Sequence, residues 1–412
     1  MASFFYKKEV TIIRVLVLTT TFPRWKDDVT PAFVYELSKR LQKSGLEIVI
    51  LAPHHYGAKK FEIMDCMKVY RFPYFYPTKY QRLAYEGGIL PNLKISNLAK
   101  VQVPLLVFSE LFFAFKIIRK EKIDIIHSHW IIPSGLIGGA IKKAFKKPHI
   151  TTAHAGDVFT IRKSKILSNI VSVIFKKSNK ITANSNFTKN VITSIDSTIK
   201  DNVEIIPMGV DTSRFNPQKK IDIRKTFSAE HLIFSVGRLV DKKGLKYLIM
   251  AMKDVVEEFP TAKLIIGGLG PEKENLECLS ESLDIKDNVV FVGSIKKSDL
   301  PTYYASSDIF ILPSIETKGG DTEGLGVVLL EAMASGIPVI GSNIGGITDI
   351  IKDSDNGFLT QPGNIKDISN KIINTLSNEK LRQKFSENGL KTIQERFSWD
   401  VVTEKFIKVY RN

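Results

Sequence analysis

Two cysteines in 412 residues, Cys66 and Cys278, are too few for a disulfide framework or a thiolate zinc site. That scarcity favours a reducing, cytosolic setting. Uninterrupted apolar runs are also scarce. The early stretch VTIIRVLVLTTTF is broken by Arg14 and leads to no small-residue cleavage site, so it reads as a first buried strand and not as a signal peptide. The stretch VQVPLLVFSELFFAFKIIRKEK at 101–122 is interrupted by Pro104, Glu110 and Lys116, which argues against a spanning helix. It reads as a segment buried against a sheet, or as an interfacial helix whose aromatics and flanking lysines touch an anionic bilayer. Short-period repeats and low-complexity tracts are missing too. The chain is longer than one hydrophobic core usually serves, so two domains are expected.

Acidic residues are sparse in the first half. Residues 1–200 carry 32 Lys and Arg against 13 Asp and Glu, a balance of +19, whereas residues 201–412 carry 27 against 30. A basic first domain attracts anionic lipid, phosphorylated substrates or nucleic acid, unless it is simply a lysine-rich surface. The charge is broad and no recognition module accompanies it, so nucleic acid is not an expected partner.

What is present is an alternation of short apolar runs with longer amphipathic ones, the pattern of parallel sheets wrapped by helices. RVLVLTT, EIVILAP, IDIIHSH, HITTAH and KITANS read as strands of a first sheet, with PAFVYELSKRLQKSG as a helix that has Pro31 early and Gly45 just past its end. LIFSVGRL, KLIIGGLG, VVFVGSI, IFILPS and IPVIGSN read as a second series, and EIIPMGVDTSRFNPQKK, with Pro207, Gly209 and Pro217, as the junction. The fold class expected is α/β, with two Rossmann-like domains facing across a cleft. Their expected extents are 1–208 and 209–396, with 397–412 returning to the first domain.

Ligands collect at the carboxyl ends of strands in such sheets. In the second half these ends carry Arg238 and Lys243 in GRLVDKKG, the glycines of GGLGP including Gly270, and a polar loop leading to DTEGLGVVLLEAMA. Glu331 in that last motif is surrounded by Val, Leu, Ala and Met, and an ionised carboxylate in an apolar setting requires a hydrogen-bonding partner or a ligand. Taken as eight helical residues, the spacing from Glu323 to Glu331 corresponds to about 12 Å of rise. The two cannot act as one carboxylate pair, but they can hold opposite ends of an extended ligand. With Gly324 and Gly326 exposing amides between them, a nucleotide-diphosphate sugar suits the arrangement.

The motifs TAHAGD, GRLVDKKG, GGLGP and EGLGVVLLE, in this order along the chain, resemble the family 4 glycosyltransferases, and the resemblance extends over nearly the whole chain. It implies a retaining, metal-independent hexosyltransferase of GT-B fold. The co-substrate would be a nucleotide-diphosphate sugar, the acceptor a saccharide or a lipid-linked precursor of surface polysaccharide or glycolipid, and no cofactor or metal would be needed. Location would be cytoplasmic, at the inner face of the membrane if the basic domain meets lipid. In the same way it implies that Arg238 and Lys243 neutralise the diphosphate, that Glu331 receives the ribose hydroxyls, and that Glu323 holds the donor sugar with amides of Leu325, Gly326 and Val327. His154 would face that sugar from the first domain with Asp157 nearby, and Ser294 and Ile295 would meet the base through backbone groups. One departure is the loop TTFPRWKDDVTPAF after the first strand, which has no glycine; Asp28 and Thr30 in it are acceptor-side candidates along with Asp157. HSHW offers alternate histidines without an evident third metal ligand and reads as a strand end, and DSD at 353–355 reads as a turn. A nucleotide-sugar epimerase and a non-catalytic nucleotide-sugar-binding protein are the alternative functions.

Overall fold

The computed structural model describes residues 12–411 apart from positions 27, 29–31, 86 and 163. Eight strands form a first sheet: β1 (Arg14–Leu18), β2 (Glu47–Pro53), β3 (Phe61–Met64), β4 (Met67–Phe72), β5 (Ile125–His129), β6 (His149–Ala153), β7 (Lys180–Ala183) and β8 (Val203–Ile205). Their spatial order is β3-β4-β2-β1-β5-β6-β7-β8, and every pairing is parallel except β3 with β4. The second sheet contains β9 (Leu232–Val236), β10 (Lys263–Gly267), β11 (Val289–Gly293), β12 (Ile309–Leu312), β13 (Val339–Ser342) and β14 (Phe358–Thr360). It is parallel throughout, in the order β11-β10-β9-β12-β13-β14.

The central strands are buried along nearly their whole length because helices cover both faces, and this is why they read as continuous apolar runs. Four strands do not stand out as apolar runs, and two of them, β3 and β4, form an edge hairpin. Asp65 and Cys66 turn it with φ of 46° and 65°, and β3 is exposed or half-buried throughout, so it lacks an apolar run. β8 and β14, three residues each, were too short to register.

Residues 206–220 join the sheets. Val210 pairs with Ser398, and a Cβ at Gly209 would lie 2.6 Å from the Trp399 ring, so only glycine lets the linker pass beneath that indole. The last helix, Trp399–Arg411, packs against the helix Phe33–Lys43 of the first sheet. The hydroxyl of Tyr410 lies 2.6 Å from His127 Nδ1 on β5, so the end of the chain is tied into the first sheet's core.

Candidate active site

Both sheets reverse their strand order at one point, the first between β1 and β5 and the second between β9 and β12. Loops leaving the strands on either side of such a point diverge and leave a crevice. In the second sheet the β9 loop carries Arg238 and Lys243, and the β12 loop carries Ser314, Glu323 and Gly324. Lys243 Nζ reaches across the crevice to Glu323 Oε2 at 2.6 Å, and Ser314 Oγ lies 3.4 Å from the same oxygen. Burial alone would raise the Glu323 carboxyl, but the Lys243 charge and hydrogen bond outweigh it and hold the group below the usual carboxylate range. Arg238, just after Gly237, is exposed.

Glycines bring these loops together. A Cβ at Gly268 would meet Gly237 O at 1.9 Å, one at Gly270 would meet Leu239 O at 2.1 Å, and one at Gly244, where φ is +64°, would meet Pro313 O at 2.0 Å. Ile295 of the β11 loop packs on Gly267, beside the exposed Ser294.

The glutamate motif departs from a continuous helix. Gly326 has φ of +88° and the helix begins at Val327, so Glu323, Gly324 and Leu325 lie in the loop before it and only Glu331 is helical. The rise of 12 Å expected between the two carboxylates therefore does not apply. Within the helix Val327–Ala334, Leu329, Leu330, Ala332, Met333 and Ala334 are buried, and Glu331 keeps part of its surface open while protein encloses the rest. Burial raises its carboxyl to about 7 against the hydrogen bond from the Tyr304 hydroxyl, 2.8 Å from Oε2, and the charge of Arg214.

Among the described residues, contacts between the sheets include three made by segments that follow strands at their carboxyl ends. A Cβ at Gly324 would lie 2.4 Å from Ala155 Cβ in the loop after β6, so the glutamate motif touches the loop that carries His154. Lys297, after β11, donates to Asp28 O at 2.5 Å. Asn186, after β7, donates its backbone N–H and Nδ2 to the Asp349 carboxylate at 2.5 and 3.0 Å. The strand ends of the two sheets therefore face each other, with the Lys243–Glu323 pair and His154 on opposite walls.

This two-sheet architecture has counterparts among known proteins. Residues 31–214 match the family described as Glycosyltransferase Family 4, and residues 218–392 match Glycosyl transferases group 1. An uncharacterised glycosyltransferase of Methanocaldococcus jannaschii is 30% identical over 72% of this chain and 77% of its own. The chain belongs to the family 4 glycosyltransferases. A GDP-mannose-dependent monoacylated alpha-(1-6)-phosphatidylinositol monomannoside mannosyltransferase of Corynebacterium glutamicum is 28% identical over 72% of this chain and 78% of its own. Sucrose-phosphate synthase from Thermosynechococcus elongatus superposes with a TM-score of 0.77 over 97% of this chain and 98% of its own, at 20% identity, a likeness of fold. The architecture is GT-B.

In this glycosyltransferase the first-domain candidates separate by what they already bind. His154 is buried, which lowers its imidazole to about 3 and keeps it neutral, and its Nε2 lies 3.0 Å from His129 Nδ1. His154, in the loop after β6, thus stacks on His129 of HSHW and the two rings hydrogen-bond each other, and among the described residues no group of His, Cys, Asp or Glu is placed to hold a metal. Asp157 accepts from the backbone N–H groups of Ile131, His154 and Val158, so its carboxylate builds the His154 loop. Burial raises that carboxyl to about 6 against these three donors. Asp28 receives both ends of the Arg24 guanidinium and the Arg24 backbone N–H, which makes it a loop-forming residue as well. Thr30 lies outside the described residues. The DSD segment is a turn, with Ser354 at φ of +60° and Asp353 Oδ1 accepting from Leu359 N at 2.7 Å.

Tyr304 escaped sequence reasoning. It sits in LPTYYASSD with no signal of its own, and the fold buries it among Phe215, Phe234 and Phe310 with its hydroxyl on Glu331. Tyr304→Phe should preserve this packing but leave one carboxylate oxygen without its donor. We expect nucleotide affinity to fall about tenfold, the loss of one charge-assisted hydrogen bond, with kcat altered much less than KM. Titration calorimetry with the nucleotide would check it, and unchanged affinity would show that Tyr304 only fills space.

Proposed function

We propose that the enzyme moves a hexose-type sugar from a nucleotide-diphosphate sugar to a saccharide or lipid-linked acceptor, with retention of configuration and without a metal, in cell-surface polysaccharide or glycolipid synthesis. The Lys243–Glu323 pair at the switch point of the second sheet carries this reading. A lysine held there by a carboxylate, with Arg238 on the same loop, supplies positive charge where a diphosphate leaving group gains negative charge. Glu331, whose burial makes an unligated charge unfavourable, gains when ribose hydroxyls donate to it. The sugar then lies between the glutamate loop and His154, whose neutral ring serves as a hydrogen-bonding partner and not as a cation.

In the transfer, the acceptor oxygen forms the new bond to the anomeric carbon as the bond from that carbon to the diphosphate breaks. The acceptor proton passes to the departing phosphate on the same face, which retains configuration. Glu323 is committed to Lys243 and to sugar hydroxyls, and takes no part as a covalent nucleophile. The location is cytoplasmic, where nucleotide sugars are met.

The test is a melting-temperature screen of UDP, GDP, ADP and their sugar conjugates with EDTA present, since a ligand of the folded state raises the melting temperature. The stabilising conjugate is then offered to saccharide and lipid-linked acceptors, and the product anomer is read by NMR. Stabilisation by one nucleotide in EDTA and transfer with retention are expected. An inverted product, or a strict need for metal, overturns the mechanism; isomerisation of the donor without acceptor makes the enzyme an epimerase.

A further inference from the structure

We propose that the outward face of the helix Asn97–Lys120 docks the enzyme onto an anionic lipid bilayer. This deepens the lipid-linked form of the acceptor reading and rests on it only for the purpose of docking. The helix is continuous for 24 residues through Pro104, and by length and composition alone it is apolar enough to cross a membrane. It is nevertheless anchored on one side: Ala99, Leu106, Glu110, Ala114, Ile117 and Ile118 are buried against the first sheet and its neighbouring helix Leu136–Phe145. Glu110 faces inward, its Oε1 receiving Ser134 Oγ at 2.9 Å. A helix held in this way presents its other side to an external phase without crossing it.

That other side is one continuous stripe. Leu98, Val101, Leu105, Phe108 and Phe112 recur at spacings of three and four, so they share a face. Phe108 is 70% exposed, Phe112 66% and Val101 63%. The apolar part covers about 21 Å of helix. At Lys116, Arg119 and Lys120 the same stripe turns cationic, and Lys94 and Lys100 lie exposed near its other end. Exposed phenylalanines in a row are uncommon on a surface that meets only water. Apolar side chains flanked by lysines and arginines match the acyl boundary and the phosphate layer of an anionic leaflet.

Charge decides between this occupant and a second copy of the chain. Residues 1–200 carry a balance of +19, so pairing two copies through this face would bring like charges together, whereas an anionic surface is attracted by the same field. Orientation fits as well. The helix leads by a short turn into β5, so it runs against the strands and its apolar end lies beside their carboxyl ends, where the cleft opens. Docking by this face brings the cleft next to an acceptor anchored in the leaflet.

The experiment is flotation of the full-length protein with vesicles of phosphatidylcholine alone and with vesicles in which one-third of the lipid is phosphatidylglycerol. Binding is expected to the anionic vesicles and to weaken in high salt. Phe108→Ser/Phe112→Ser should lower the partition coefficient about a hundredfold, on the order of tenfold for each inserted ring. Lys116→Glu/Arg119→Glu/Lys120→Glu should lower it at least as much, on the order of fivefold or more for each cation removed from the surface. Absence of flotation with anionic vesicles, or equal flotation of the phenylalanine variant, overturns the proposal. So does a dimer, seen by light scattering, that this variant converts to monomer, because the face would then join copies. Nucleotide-induced melting shifts on the same variants separate the two readings: they should match the parent, and their absence in the parent would count against the donor site and leave the lipid result intact.

Discussion

Lys243→Ala should lower kcat/KM by about a thousandfold, the size of effect seen when one preorganised electrostatic donor is removed from a site of developing negative charge. Lys243 Nζ sits 2.6 Å from Glu323 and leads through Gly244 into the helix Leu245–Glu258, whose amino end adds its own partial positive charge. Truncation removes the cation and also leaves the Glu323 carboxylate without its main partner in a largely enclosed position. The variant should therefore be less stable, by up to about 3 kcal/mol. A double variant, Lys243→Ala/Glu323→Gln, separates the two effects. It removes the orphaned charge, so the melting temperature should recover while activity stays low. Steady-state kinetics with the stabilising nucleotide sugar, and melting curves on both variants, decide the matter. Recovery of activity in the double variant would mean that Lys243 serves only to pair Glu323.

Glu331→Gln should have opposite effects on stability and on binding. Burial lifts this carboxyl from an ordinary 4.5 to about 7, so the folded protein holds the proton more tightly than the unfolded chain does. The resulting loss of stability is absent below about pH 4.5, grows as pH rises, and is complete above about pH 7. Glutamine carries no charge and still accepts from Tyr304, so the ligand-free variant should melt about 2 °C or more above the parent at about pH 8, with no gain near pH 4.5. Its affinity for the nucleotide should fall about fiftyfold, because hydrogen bonds to a charged acceptor are among the strong ones. For the parent, ribose hydroxyls favour the ionised form, so affinity should increase as pH rises through about 7. Melting curves and calorimetry at several pH values test both halves. A variant that binds the nucleotide as the parent does would remove Glu331 from the ribose site and leave it as a buried group held by Tyr304.

Much of this site was legible because its parts are local. Gly237 and Gly268 directly follow apolar runs in the sequence, and these runs are the strands whose ends they occupy. Glu331 stood out because no apolar helix keeps a carboxylate without a partner. The limits were equally local. The helical spacing expected from Glu323 to Glu331 fails because periodicity does not register that Gly326 adopts φ of +88°, a conformation that starts the helix at Val327. Asp157 and Asp28 read as acceptor-side candidates because sequence shows neither the backbone N–H groups that converge on Asp157 nor the Arg24 side chain that holds Asp28. The helix at 97–120 is buried along one side and exposed along the other, a division that its nearly uniform apolar sequence does not show.

By itself the sequence determined the central parallel strands of the two sheets, the loops that carry cations and glycines, and a glutamate in need of a partner, since runs, turns and capping depend on neighbours along the chain. The tertiary structure alone decided which residues meet. Lys243 and Glu323 are 80 positions apart, Tyr304 and Glu331 are 27, and His129 and His154 are 25. Ala155 meets Gly324 only because the strand ends of the two sheets face each other, and Tyr410 reaches His127 only because the last helix returns to the first sheet. Contacts of this kind depend on how the sheets pack and on where loops leave them, which local residue patterns do not specify.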